Sequence, residues 1–125
     1  MSEQLTKNFA LSEFACNSGA PTPQSVIPNL KKLAQNLQVL RDATGKKITI
    51  NSGYRSVEHN KKIGGKTASQ HLLGNAADIV VEGMKPIEVY NKIEELQAQG
   101  KMATGGLHAY PTFTHYDTRG LKARW

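Results

Sequence analysis

Ile27, Leu30, Leu33, Leu37 and Leu40 recur at steps of three and four, which lines them up on one face of an α-helix. Gly45 stops that helix, and Arg41 lies near its negative end. The period then changes. Ile48-Thr49-Ile50-Asn51-Ser52 alternates apolar and polar side chains and predicts a strand running into Gly53-Tyr54-Arg55. Ser56 caps a short helix through about Ile63, ended by Gly64-Gly65. Residues 66–74 predict a loop, and Ala77 to Val81 a buried strand. Pro86 suits the first turn of a helix over 86–99, with Ile87, Tyr90, Ile93 and Leu96 inward and Gly100 as its stop. Met102 to Ala109 and Phe113 to Asp117 read as the last two strands, a hairpin turned around Tyr110-Pro111.

This order of elements predicts an α+β fold, a small and largely antiparallel sheet with helices packed on one side. No linker, repeat or low-complexity tract divides the chain, and 125 residues suit one domain with a real core. Phe9, Leu11 and Phe14 form a small apolar cluster, so residues 1–20 are expected to be an arm packed onto that domain.

Charge narrows the partners. The chain carries a formal net charge of +6, which draws it to polyanions. No basic block, interleaved aromatics or nucleic-acid motif accompanies that charge, so an anionic bacterial wall is the expected partner rather than nucleic acid. The lone Cys16 has no internal disulfide partner and reads as a small buried hydrophobe. The first residues show no apolar signal-peptide core, and no apolar run is long enough to cross a membrane. A wall-directed protein of this kind is expected to stay cytoplasmic until lysis, or to travel with a phage particle, and to act as a monomer.

The chemistry lies in two clusters. Ser69-Gln70-His71-Leu72-Leu73-Gly74-Asn75-Ala76-Ala77-Asp78 sets an imidazole and a carboxylate across a small-residue turn. Near the end of the chain stands Thr114-His115-Tyr116-Asp117-Thr118-Arg119. Two His and one Asp are a three-ligand set for zinc with a fourth position open, the arrangement of a catalytic site. Asp78 opens an apolar strand, where an unpaired carboxylate is costly and a metal resolves the cost. Singly, His71 reads as a loop histidine and Asp78 as a strand-edge residue; the joint pattern carries the zinc reading.

The pattern Ser-x-His-x-x-Gly-x-Ala-x-Asp, followed later by a His, resembles the M15 zinc peptidases of the D-alanyl-D-alanine carboxypeptidase group. Ser52-Gly53-Tyr54-Arg55-Ser56 is similar to the segment that carries that family's substrate-side arginine, and Phe113-Thr114-His115-Tyr116-Asp117 to the last-ligand strand of its smaller branch of murein peptidases and phage lysins. The resemblance runs from about Phe9 to Trp125. It implies zinc bound by His71, Asp78 and His115, a peptidoglycan stem peptide as substrate, and Arg55 on the substrate carboxylate or oxyanion, a task suited to its forked donors. Ser69 is a further candidate for substrate binding beside the metal; an ordinary loop hydroxyl is the other reading.

The general base departs from the better-known branches. Several of them place Glu or Asp three residues before the last ligand, or His two before it; here those positions hold Thr112 and Phe113. Asp117 follows His115 by two residues and shares its strand face at roughly 7 Å. It is a candidate either to activate the zinc water or to orient a ligand histidine. His108, on the adjoining predicted strand, is the other candidate; a surface histidine is its plainer reading. Two functions follow from these residues: a zinc peptidase cutting wall peptides by exo- or endo-cleavage, or a binding module of the same fold that keeps the metal without catalysis.

Overall fold

The structure, a computed structural model, describes residues 3–125. Its first long element, α1 (Ile27–Thr44), buries Leu30, Leu33, Ala34, Leu37 and Leu40, the stripe that the three-and-four spacing lines up. Pro28 sits in its first turn, and Gly45 ends it at φ 65°, donating its N–H to the Arg41 carbonyl at 2.9 Å. A short helix, α2 (Val57–Lys62), starts at Ser56, whose hydroxyl accepts the His59 N–H at 3.2 Å. The third helix, α3 (Pro86–Ala98), buries Val89, Ile93 and Leu96. Ile87 was expected to face inward but is 53% exposed, and Tyr90 is only half-buried. Val89 takes the place of Ile87 because two residues turn the helix by about 200°, so the two side chains cannot share the Ile93 face.

Five strands form one sheet in the order β1 (Ile48–Ser52), β2 (Ala76–Val81), β4 (Thr114–Asp117), β3 (Gly106–Ala109), β5 (Ala123–Arg124). All neighbours are antiparallel except β3 and β5, which run parallel. The fold is therefore α+β with a largely antiparallel sheet. The strand expected from Met102 begins only at Gly106. Upstream of it, side chains satisfy the backbone: Asn36 Oδ1 accepts the Ala103 N–H, and the Ala103 carbonyl accepts from Gln97 Nε2 and the Tyr116 hydroxyl.

Period-two alternation divides the sheet into two unlike faces. Ile48, Ala77, Ile79, Val81, Leu107 and Tyr116 join α1 and α3 in the core. Asp78, Val80, His108, His115 and Asp117 alternate with them and point to the opposite face. On that face Asp78 lies directly across from His115, and His115 across from His108. The N-terminal segment packs by Phe9 and Phe14, both buried, with ring centroids 6.1 Å apart. Of the expected 1–20 arm, residues 1 and 2 lie outside the described residues. Cys16 is buried with its thiol beside the Ser18 hydroxyl.

Candidate metal centre

His71 is delivered by a single 3-10 turn, Gln70–Leu73, inside the stretch that reads as a loop in the sequence. Ser69 caps that turn: its hydroxyl accepts the His71 N–H at 3.1 Å. Gly74 closes the turn at φ 77°, a left-handed conformation that glycine takes without steric cost, and the chain reverses directly into β2 and Asp78. Two cross-strand hydrogen-bonded neighbours and one turn thus bring His71, Asp78 and His115 together. One donor atom from each lies within 4.8 Å of the others, and all three side chains are buried. His71 Nε2 is 3.3 Å and His115 Nδ1 is 3.1 Å from the same oxygen, Asp78 Oδ1.

The nitrogens that face away are held. His71 Nδ1 lies 2.7 Å from the Gly53 carbonyl oxygen, which can only accept, so Nδ1 carries the proton and Nε2 points its lone pair inward. Gly53 is needed for this approach: a Cβ there would come within 2.7 Å of the Phe14 backbone. His115 Nε2 donates to Asp117 Oδ2 at 2.7 Å, leaving Nδ1 for the centre. Such outward partners fix the tautomer and orientation of metal-binding imidazoles. The third candidate ligand is shaped similarly. Arg55 donates from Nη2 to Asp78 Oδ2 at 3.1 Å, which leaves Oδ1 for the point where both rings converge. Two imidazole nitrogens and one carboxylate oxygen, each with its outer contacts satisfied, suit a zinc ion with an open fourth position.

Asp117 is fully buried and saturated. Besides His115, its carboxylate accepts from the Gly106 N–H at 2.7 Å, from the Arg119 N–H, and from Arg119 Nε and Nη2 at 2.9 and 2.8 Å. A Cβ on Gly106 would collide with that carboxylate. Burial opposes the charge of Asp117, but the hydrogen bonds from His115, Arg119 and Gly106 outweigh it and hold its pKa well below the carboxylate range. At Asp78 burial again raises the pKa, and the neighbouring His115 and His71 more than offset it, so the net shift is downward. Burial likewise disfavours charge on His115, yet Asp117 and Asp78 together raise its pKa.

The centre forms the floor of a cleft of about 450 Å³. Arg55, Lys66, Ser69, Tyr110, Phe113, Arg119 and Trp125 line it with the three candidate ligands. Asp78 is the only acidic side chain among the described lining residues. Arg55 is anchored by Ser52 Oγ at 3.1 Å and Asn60 Oδ1 at 3.3 Å as well as by Asp78. His108 does not line the cleft; its ring stacks behind Trp125, with centroids 5.4 Å apart and planes 4° from parallel. Trp125, Lys66 and Tyr110 are lining residues that the sequence reading did not single out. Trp125 reaches the cleft through the short parallel strand β5, a long-range pairing with no local periodic signal.

The Peptidase M15 family profile matches residues 7–117, and the chain belongs to that family. Among curated proteins it is similar to the zinc D-Ala-D-Ala carboxypeptidase of Streptomyces albus G, with 38% identity over 78 residues. The match covers 58% of this chain and 31% of that protein, so the chain spans under a third of the relative's length.

Proposed function

We propose that this chain is a zinc-dependent peptidase that hydrolyses stem peptides of peptidoglycan. One observation carries the reading: His71 Nε2, His115 Nδ1 and Asp78 Oδ1 converge at the floor of an open cleft while the opposite side of each ligand is already engaged. Zinc held there would polarise a peptide carbonyl and lower the pKa of bound water to about 7. The outer nitrogens of His71 and His115 are held by Gly53 and Asp117, which turns the other nitrogen of each ring toward it. Asp117 is a positioning residue in this reading, since its lone pairs are committed to His115, Arg119 and Gly106. Arg55 holds Asp78 and keeps N–H groups beyond its three bonds for a substrate carbonyl or carboxylate. His108, the other candidate, lies outside the cleft with its ring stacked behind Trp125, so it is not placed to take a proton from the reacting water. Ser69 keeps its hydroxyl proton for a substrate acceptor while its oxygen caps the His71 turn. The family and the relative's printed activity support this substrate class.

A single observation favours the non-catalytic alternative: no uncommitted carboxylate lines the cleft among the described residues. Digestion of purified cell wall by the zinc-loaded protein, with fragments identified by mass spectrometry, decides between the readings. New amino termini or freed D-alanine support the peptidase and show whether cleavage is internal or terminal. An intact wall that nevertheless retains the protein supports the binding module.

A further inference from the structure

Among the described residues Arg55, Lys66 and Arg119 are the Lys and Arg side chains that line the cleft, and they differ in what already holds them. Arg55 is bonded to Ser52, Asn60 and Asp78. Arg119 is committed to Asp117 through Nε and Nη2. Lys66 is exposed and, among the described residues, has no ion pair; its ammonium lies 5.7 Å from the centroid of the Trp125 ring. A cation–π contact at an exposed site is worth about 0.5–1 kcal/mol, so an incoming anion can readily take the ammonium over.

Trp125 lies beside Lys66 in the cleft lining and is held from several sides. His108 stacks on it, His115 meets it edge-on at 5.1 Å, and its Nε1 donates to the Tyr110 hydroxyl at 3.1 Å. The Arg119 guanidinium carbon lies 5.6 Å from the same centroid. Despite these supports the indole is 46% exposed. A firmly held indole with nearly half its surface exposed, beside an ammonium that has no ion pair among the described residues, is a surface that gains by being covered.

We propose that Trp125 and Lys66 form a substrate subsite in the cleft lining, in which the indole takes an apolar side chain of a peptide and the ammonium takes that peptide's carboxylate. This rests on the peptide-substrate reading above. His108 and Tyr110 serve the subsite as positioning residues, the one by stacking on the indole and the other by fixing its N–H. The subsite selects for charge as well as shape: a peptide ending in an amide keeps the contact with Trp125 and loses the contact with Lys66.

The chain has one tryptophan, so its emission reports this site directly. Zinc-loaded full-length protein is titrated with N-acetyl-D-alanyl-D-alanine and with the corresponding C-terminal amide, by fluorescence and by calorimetry. We expect the acid to change the emission saturably and to bind at least about tenfold more tightly than the amide, as a charge-assisted contact allows. Lys66→Met should shrink that preference to about threefold or less, and Trp125→Phe should weaken both peptides alike in calorimetry. A Lys66→Met protein with the wild-type preference overturns the proposal, as does saturable binding with unchanged emission, or no binding of either peptide. Wall cleavage together with an unaltered preference in Lys66→Met would sink the subsite and leave the peptidase. Binding that depends on Lys66 without any cleavage would sink the peptidase and leave the subsite.

Discussion

Asp117 Oδ2 accepts a hydrogen bond from His115 Nε2 at 2.7 Å, on the side of the imidazole that faces away from Asp78. In the proposed reading this geometry makes Asp117 the partner that orients a candidate ligand rather than a group that reaches the reacting water. Asp117→Asn keeps the size and removes the charged acceptor. Zinc affinity should fall by about 10–100-fold, and activity should return at saturating zinc. A general base would behave otherwise: zinc content would hold while cleavage fell by a factor on the order of 10² or more. Equilibrium dialysis of zinc beside the cleavage rate separates the two.

Metal content tests the ligand set itself. Protein purified without chelator should contain near one equivalent of zinc, and His71→Ala should lose most of it. Full retention of zinc in the His71→Ala, His115→Ala double variant would refute the assignment, because Asp78 alone is then left of the three.

Arg55 touches both the ligand carboxylate and the cleft. Arg55→Ala should lower kcat/KM at least about tenfold, equal to about 1.4 kcal/mol, because it removes donors available to the substrate. Arg55→Lys should restore only part, since an ammonium cannot serve Ser52, Asn60 and Asp78 in their present directions. Normal turnover in Arg55→Ala would assign the residue to holding the fold.

Gly53 offers a test remote from the ligands in sequence. Its carbonyl fixes His71, and an added Cβ would meet the Phe14 Cα at 2.7 Å. Gly53→Ala should cost about 1–3 kcal/mol of stability by overpacking. It should also weaken zinc binding as the carbonyl shifts. A thermal melt and a zinc titration of the variant check both; a stability loss with unchanged zinc affinity would detach the carbonyl from the metal centre.

How much of this was legible beforehand depends on how local each signal is. The α1 stripe is visible because Leu30, Leu33, Leu37 and Leu40 face one way on any helix. The candidate ligands are visible because residue type and spacing carry their chemistry. Strand parity puts Asp117 on the face of His115, but parity does not say which ring nitrogen the carboxylate meets, and that choice separates an orienter from a base. Ile87 misleads because a composition-matched position one phase away, Val89, fills the same core space. Trp125 is hidden for a different reason: its place beside His108 and His115 depends on β5 returning alongside β3, a contact that no neighbouring residue announces.

The alternation in β2 and β4 has a consequence for which changes in chain length this fold tolerates. Ala77, Ile79 and Tyr116 face the core from the same two strands that hold out Asp78, His115 and Asp117. Deleting one residue within either strand would send a charged ligand into the oily layer and a tyrosine or isoleucine into the cleft. Folding and ligand presentation would then fail at the same step, with no intermediate in which one survives without the other. Length variation among viable descendants of this chain should therefore collect in the turns, for instance around Pro111 or Gly120, and spare these two strands.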